Sequence, residues 1–182
     1  MVKRKTILFL CTGNYYRSRF AEMLCASVAR RMGLPWEASS RGLALERGVK
    51  NIGPMATAAI RTVEAKGIRD AQRCGRLPAQ VTIEELEQAD VIIALSHAEH
   101  LPLLQKRFPA FAERVEFWHV DDAPEALDLI ERQVMDLVAR LLGGGGEAPQ
   151  HDMTEVARSA EASKKPMAAK VGRETAGRRG RA

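Results

Sequence analysis

A thiol and a guanidinium sit close together in the run Cys11-Thr12-Gly13-Asn14-Tyr15-Tyr16-Arg17-Ser18. A thiolate is a nucleophile, and arginine's planar fork matches two oxygens of a phosphate. A loop that turns from a strand into a helix can point successive backbone N–H groups inward, and the helix N-terminus adds its own positive end. Gly13 removes the Cβ that would oppose a tight turn, and Asn14 tolerates a left-handed conformation. Cys11 then lies at the bottom of a positive bowl that favours its thiolate, and Ser18 can donate a hydrogen bond to the sulfur. The chemistry implied is nucleophilic attack on a bound phosphoryl group, with Thr12, Gly13, Asn14, Tyr15, Tyr16, Arg17 and Ser18 as the phosphate cradle. The alternative is a core cysteine followed by a surface arginine, which leaves the glycine, asparagine and serine without a reason.

The flanking elements supply the required context. Residues 7–11 form a short apolar run, read as a strand buried on both faces. Residues 18–32 carry Phe20, Met23, Leu24, Val28 and Met32 at helical spacing, ended by Gly33 and Pro35. A second strand is expected over 36–40, and a Gly-bearing loop over 41–54. Residues 55–66 read as a helix, 68–81 as an Arg-rich loop, and Thr82 with Glu85 as a capping box. A third strand spans 91–95, and Ser96 caps a helix running to about residue 107. A fourth strand spans 114–120, and 124–142 is a long amphipathic helix. Strand and helix alternate, so the expected fold is α/β, a parallel sheet with helices on both faces.

The charge is uneven. The chain carries 28 Lys and Arg against 23 Asp and Glu, a net +5. Eight of those bases and four of the acids fall in residues 151–182, leaving the first 150 residues near neutral. The expected organisation is a folded domain over 1–142 and a Gly linker with a disordered basic tail over 143–182. The tail reads as inert or as an electrostatic tether to anionic partners, so the pI argues for no specific nucleic acid. Three cysteines, Cys11, Cys25 and Cys74, suit a reducing compartment better than a disulfide scaffold. No apolar run reaches the ~20 residues of a membrane helix, and the apolar stretch after Met1-Val2-Lys3-Arg4-Lys5 is too short for a signal peptide. The expected location is the cytoplasm, with no membrane partner.

The run from Ile7 to Asn14, then Arg17-Ser18 and Ala21-Glu22, resembles the low-molecular-weight protein tyrosine phosphatase family. The resemblance extends over residues 5–142 and includes Ala89-Asp90-Val91-Ile92. It implies a four-stranded parallel sheet flanked by helices, a cysteinyl-phosphate intermediate and no metal or other cofactor. The implied partner is a phosphorylated substrate, a phosphotyrosine protein or a small aryl phosphate. The family's general acid is an Asp after the fourth strand, usually followed by Pro. Here Asp121-Asp122-Ala123-Pro124 offers two, and Asp122 is favoured as the nearer to the proline. The competing role for either acid is to cap the last helix, whose first position suits Pro124. The family's second loop cysteine is replaced by Tyr16, its aromatic pair after Asp-Pro by Ala123 and Glu125, and its second-loop Trp is missing. Tyr15 and Tyr16 are left to wall the slot. Two rival functions share this loop: arsenate reduction on the same fold, for which Cys25 and Cys74 do not form a paired relay, and a phosphate-binding module without turnover.

Other residues receive plainer readings. His97 and His100, with Glu99 between them, are expected on a solvated helix face rather than at a metal, because no third ligand converges in sequence. Arg69, Arg73 and Arg76 read as a solvated loop, and His119 as structural. Ser40 and Asn51 are candidates to buttress the phosphate loop.

Overall fold

The computed structural model describes residues 4–48 and 50–143, so nearly all of the expected linker and tail over 143–182 lies outside the described residues. Four strands, β1 (Lys5–Cys11), β2 (Trp36–Gly42), β3 (Val91–Ala94) and β4 (Val115–Phe117), form one sheet in the order β2-β1-β3-β4. Every pairing is parallel. Six helices connect or flank them: α1 (Arg17–Arg31), α2 (Thr57–Ala65), α3 (Ala71–Gly75), α4 (Ile83–Gln88), α5 (His97–Arg107) and α6 (Ala126–Leu142).

The central strand explains its own composition. Ile7 and Phe9 of β1 point into one core, shared with Phe20, Met23 and Leu24 of α1, Val63 of α2 and Ile130, Val134 and Leu137 of α6. Leu8 and Leu10 point into the other, shared with Leu86 of α4 and Leu103 and Leu104 of α5. A strand covered on both faces has no polar side, which is why its sequence runs apolar instead of alternating. The α/β fold expected from the sequence is the one observed. Among the described residues, no helix is long and apolar enough to cross a membrane.

Strand order positions the site. From β1 the chain crosses to β2 on one side, and β3 lies on the other, so the C-terminal ends of β1 and β3 flank a switch point where ligands of open α/β sheets bind. Cys11 ends β1, and Ser96 follows β3 as the cap of α5, accepting the Glu99 amide at 3.4 Å. The Thr82–Glu85 capping box is present in both directions.

Several elements differ from the sequence reading. Residues 68–81, expected as loop, contain α3, which Asp70 caps by accepting the Arg73 amide. The last helix starts at Ala126 rather than 124, and its capping position is Glu125, with no side-chain cap. Neither Asp121 nor Asp122 therefore caps α6. The fourth strand is shorter than expected: regular pairing ends at Phe117, beyond which Trp118 and Val120 still donate to the carbonyls of Ala94 and Leu95 and His119 bridges to Ser96.

Candidate active site

Residues 11–17 wrap from β1 into α1 with their carbonyls drawn outward. Cys11 accepts the Leu43 amide and Thr12 the Ala44 amide, each at 2.9 Å, and Tyr15 accepts the Ala56 amide at 3.0 Å. Tyr16 accepts from Phe20 at 3.1 Å. In a trans peptide the N–H opposes the carbonyl, so these bonds turn the amides of Thr12, Gly13, Tyr16 and Arg17 toward the inside of the loop. The hollow of the loop is thereby lined with backbone amides, and the N-terminus of α1 forms its wall.

Two glycines keep this wrapping possible. A Cβ on Gly13 would meet the Asn51 amide nitrogen at 2.9 Å. One on Gly42, which pairs with Cys11 across the sheet, would meet Leu45 at 2.5 Å and the Thr12 carbonyl at 3.0 Å.

Asn14 is the pivot. It adopts φ 49°, the left-handed region, and is fully buried. Its Nδ2 donates to Ser18 Oγ at 3.1 Å and Ser40 Oγ at 2.9 Å, while its Oδ1 accepts from the Ala79 amide at 3.0 Å and from Arg76 at 3.3 Å. All four hydrogen-bonding positions of the amide are used, which offsets the backbone strain.

The direction of this network is set at its far end. Glu22 is buried and its carboxylate can only accept, so Ser40 donates to it at 2.6 Å. Ser40 must then accept from Asn14, and Asn14 spends its other N–H on Ser18. The Ser18 proton is left for the Cys11 sulfur, 2.9 Å away.

Glu22 is held by three arginines. Arg19 reaches it at 3.3 Å, Arg73 at 2.9 Å and Arg76 at 2.9 Å. Arg73 and Arg76 are thus not a solvated loop: they fold over α1 and clamp the carboxylate that orders the phosphate loop. Arg19 is fully buried and also donates to the carbonyls of Arg73 and Arg76. Arg69 forms no part of this cluster.

Arg17 lies at the opposite wall, 6% exposed. It donates to both carboxylate oxygens of Glu99, at 3.0 and 2.7 Å, and to the carbonyl of Val120 at 3.0 Å. Burial works against its charge, but the Glu99 bonds and the negative charges of Cys11, Glu99 and Asp122 outweigh this and hold its pKa above the ordinary value. Burial raises the Glu99 carboxyl and the Arg17 bonds lower it, with the lowering larger. Glu99 and His100 are therefore not a solvated helix face. His100 is fully buried, its Nδ1 accepts the Ser96 amide at 3.0 Å, and burial with the Arg17 charge pushes its pKa down to about 4. The signal for His100 was present: it precedes Leu103 and Leu104 on the buried stripe of α5.

The two aspartates separate clearly. Asp121 accepts from Ser96 Oγ at 3.4 Å. Asp122 lines the same cleft as Cys11, Thr12, Gly13 and Arg17. Burial, then the charge of Asp122, pushes the Tyr16 hydroxyl above its ordinary pKa. Tyr15 and Tyr16 line the cleft as expected, and Tyr15 is anchored by its hydroxyl to the Ile52 carbonyl at 2.7 Å. Arg47, Gly48, Asn51 and Glu99 complete the lining. Of the expected buttresses, Ser40 acts through Asn14 and Asn51 abuts Gly13.

Cys25 and Cys74 stand apart from this cleft. Cys25 is buried in α1, and burial pushes its thiol up to about 12. Cys74 lies in α3 with its sulfur 3.5 Å from that of Met23.

The chain is similar in sequence and fold to known proteins. A protein-arginine-phosphatase from Bacillus subtilis (strain 168) is 30% identical over 109 residues, spanning 60% of this chain and 67% of that protein. The low molecular weight protein tyrosine phosphatase of T. tengcongensis superposes with a TM-score of 0.64 at 21% identity, covering 75% of this chain and 99% of the other. Vibrio vulnificus Wzb, solved with benzylphosphonate, superposes with a TM-score of 0.64 at 19% identity, over 75% and 99% of the two chains. The family model for low molecular weight phosphotyrosine protein phosphatase matches residues 6–142, and with the loop, the strand order and the acid-bearing cleft in one place, the chain belongs to that family of protein phosphatases.

Proposed function

We propose that this phosphatase hydrolyses its phosphorylated substrate in two steps through a cysteinyl-phosphate. Cys11 attacks phosphorus while the inward amides of the loop and Arg17 hold the non-bridging oxygens. Asp122 protonates the leaving atom as the bond to phosphorus breaks. The same carboxylate then takes a proton from water, which displaces the sulfur and releases orthophosphate and free Cys11. The observation that carries this reading is the one cleft lined by Cys11, Arg17 and Asp122, with Ser18 donating to the sulfur.

The substrate class is a phosphorylated protein side chain or a small aryl phosphate. The relatives named above differ in the atom that leaves, a phenol oxygen in tyrosine phosphatases and a guanidinium nitrogen in the arginine phosphatase. Either needs the proton that Asp122 would supply. Hydrolysis is favoured over arsenate reduction by the placement of the two remaining cysteines: Cys25 is buried inside α1, where burial pushes its thiol up to about 12, and Cys74 lies in α3 with its sulfur against Met23, so they form no paired relay. The family match over 6–142 supports residues 1–142 as the catalytic unit.

A stopped-flow assay with p-nitrophenyl phosphate tests the two steps. A burst of nitrophenol equal to the enzyme concentration, followed by slower turnover, is expected. Direct water attack gives linear release from the first turnover and would remove the proposal.

A further inference from the structure

Among the described residues, Arg17 keeps one edge of its guanidinium without a hydrogen-bond partner. A guanidinium carries five N–H groups in one plane. Glu99 takes one from each terminal nitrogen, Oε1 from Nη1 at 3.0 Å and Oε2 from Nη2 at 2.7 Å. The Val120 carbonyl takes the second hydrogen of Nη1 at 3.0 Å. These three bonds leave the Nε hydrogen and the second Nη2 hydrogen, which lie side by side on the remaining edge. That edge is a two-pronged donor matched to two phosphoryl oxygens.

Glu99 is itself supported. Its Oε2 also accepts from Thr12 Oγ1 at 3.4 Å. His100 Nδ1 accepts the Ser96 amide, so the ring proton sits on Nε2, and Nε2 lies 3.7 Å from Glu99 Oε2. Among the described residues Nε2 has no hydrogen-bond partner, although it is buried. A buried donor of this kind attracts the carboxylate and is poorly placed for anything else.

We propose that Glu99 is a positioning residue for the phosphatase reaction: by occupying the far edge of Arg17 it aims the Nε–Nη2 edge at the phosphoryl group, with His100 steadying the carboxylate. Glu99 lines the cleft, and the role proposed for it is exerted through Arg17. The inference rests on the reading of Arg17 as the phosphate fork.

The test is a double-mutant cycle on the full chain, with Arg17→Ala, Glu99→Ala and the pair. Two quantities are read for each protein: kcat/KM on an aryl phosphate, and affinity for orthophosphate by calorimetry, which needs no turnover. Glu99→Ala is expected to lower kcat/KM by about 10- to 100-fold and to weaken orthophosphate binding, the size seen when a supporting residue is lost. In the Arg17→Ala background the same change is expected to do nothing further. Glu99→Gln, whose carbonyl still accepts one guanidinium N–H, should recover part of the loss, and it carries the cycle if the alanine variant does not fold. Full losses in the Arg17→Ala background, or tighter orthophosphate binding in Glu99→Ala, would overturn the proposal; the latter would make Glu99 a competitor of the substrate. A wild-type protein that binds orthophosphate through Arg17 without turnover would instead defeat the catalytic reading and leave the positioning of Arg17 standing.

Discussion

Arg17 donates to the backbone carbonyl of Val120 at 3.0 Å, and so ties the start of α1 to the residue that precedes both aspartates. The segment carrying Asp121 and Asp122 is thereby held against the loop carrying Cys11, although Arg17 and Val120 lie 103 residues apart in sequence. Proton transfer to a leaving group needs an acid within hydrogen-bond reach of it, and this bond fixes where that acid can be.

Asp122→Asn should lower the rate on phosphate esters with poor leaving groups by about 100-fold or more, and by much less on those with good ones, because a good leaving group needs little protonation. Asp121→Asn should show no such dependence, since that carboxylate faces Ser96. Steady-state rates over a series of substituted phenyl phosphates distinguish the two residues. The reverse pattern would move the acid by one position.

Cys11→Ser should retain orthophosphate binding and lose turnover. The inward amides and Arg17 remain, while a hydroxyl is not ionised as a thiolate is. Calorimetry with orthophosphate and an aryl phosphate assay on the same preparation check both halves. Residual hydrolysis would point to a different nucleophile.

How much of this was open to sequence reading follows from distance along the chain. The phosphate loop is local: strand end, glycine, left-handed asparagine, arginine and serine fall within Cys11–Ser18, and each carries its own conformational reason. The strands and helices likewise declare themselves through short-range apolar spacing. The Glu99–Arg17 pair spans 82 residues, and Arg73–Glu22 spans 51. Nothing in a charged helix face or an Arg-rich stretch says which carboxylate it will meet, because the strand order alone brings them together. Asp122 falls between these cases. Its position after the fourth strand was legible, but its separation from Asp121 depends on the Ser96 hydroxyl.

Glu22→Ala should destabilise the protein by about 3–5 kcal/mol, because it leaves the buried Arg19 charge without its carboxylate, with only backbone carbonyls as acceptors, and frees Arg73 and Arg76. It should also disorder Asn14 through the loss of the Ser40 bond. Chemical denaturation gives the first quantity, and the rise in orthophosphate Kd gives the second. A variant of unchanged stability would show that the arginine cluster is solvated after all.

His100 makes stability depend on pH. An unfolded imidazole titrates near 6.5 and the folded one at about 4, so between these values the unfolded chain binds more protons. Stability should fall as pH drops from 6.5 to 4, by about 3 kcal/mol from this group, and level off below. His100→Asn, which does not titrate, should lack that component. Denaturation curves for both proteins across this range check it, and identical pH slopes would contradict it.

The covalent step is the centre of the account, and one measurement reaches it directly. The enzyme is mixed with p-nitrophenyl phosphate, quenched in acid during turnover, digested and examined by mass spectrometry. The account predicts a single phosphoryl adduct, carried by the peptide containing Cys11 and lost in Cys11→Ser, and accumulating further in Asp122→Asn relative to free enzyme because water activation is slowed. An actively turning-over enzyme with no adduct on Cys11, or with the adduct on another residue, would contradict it.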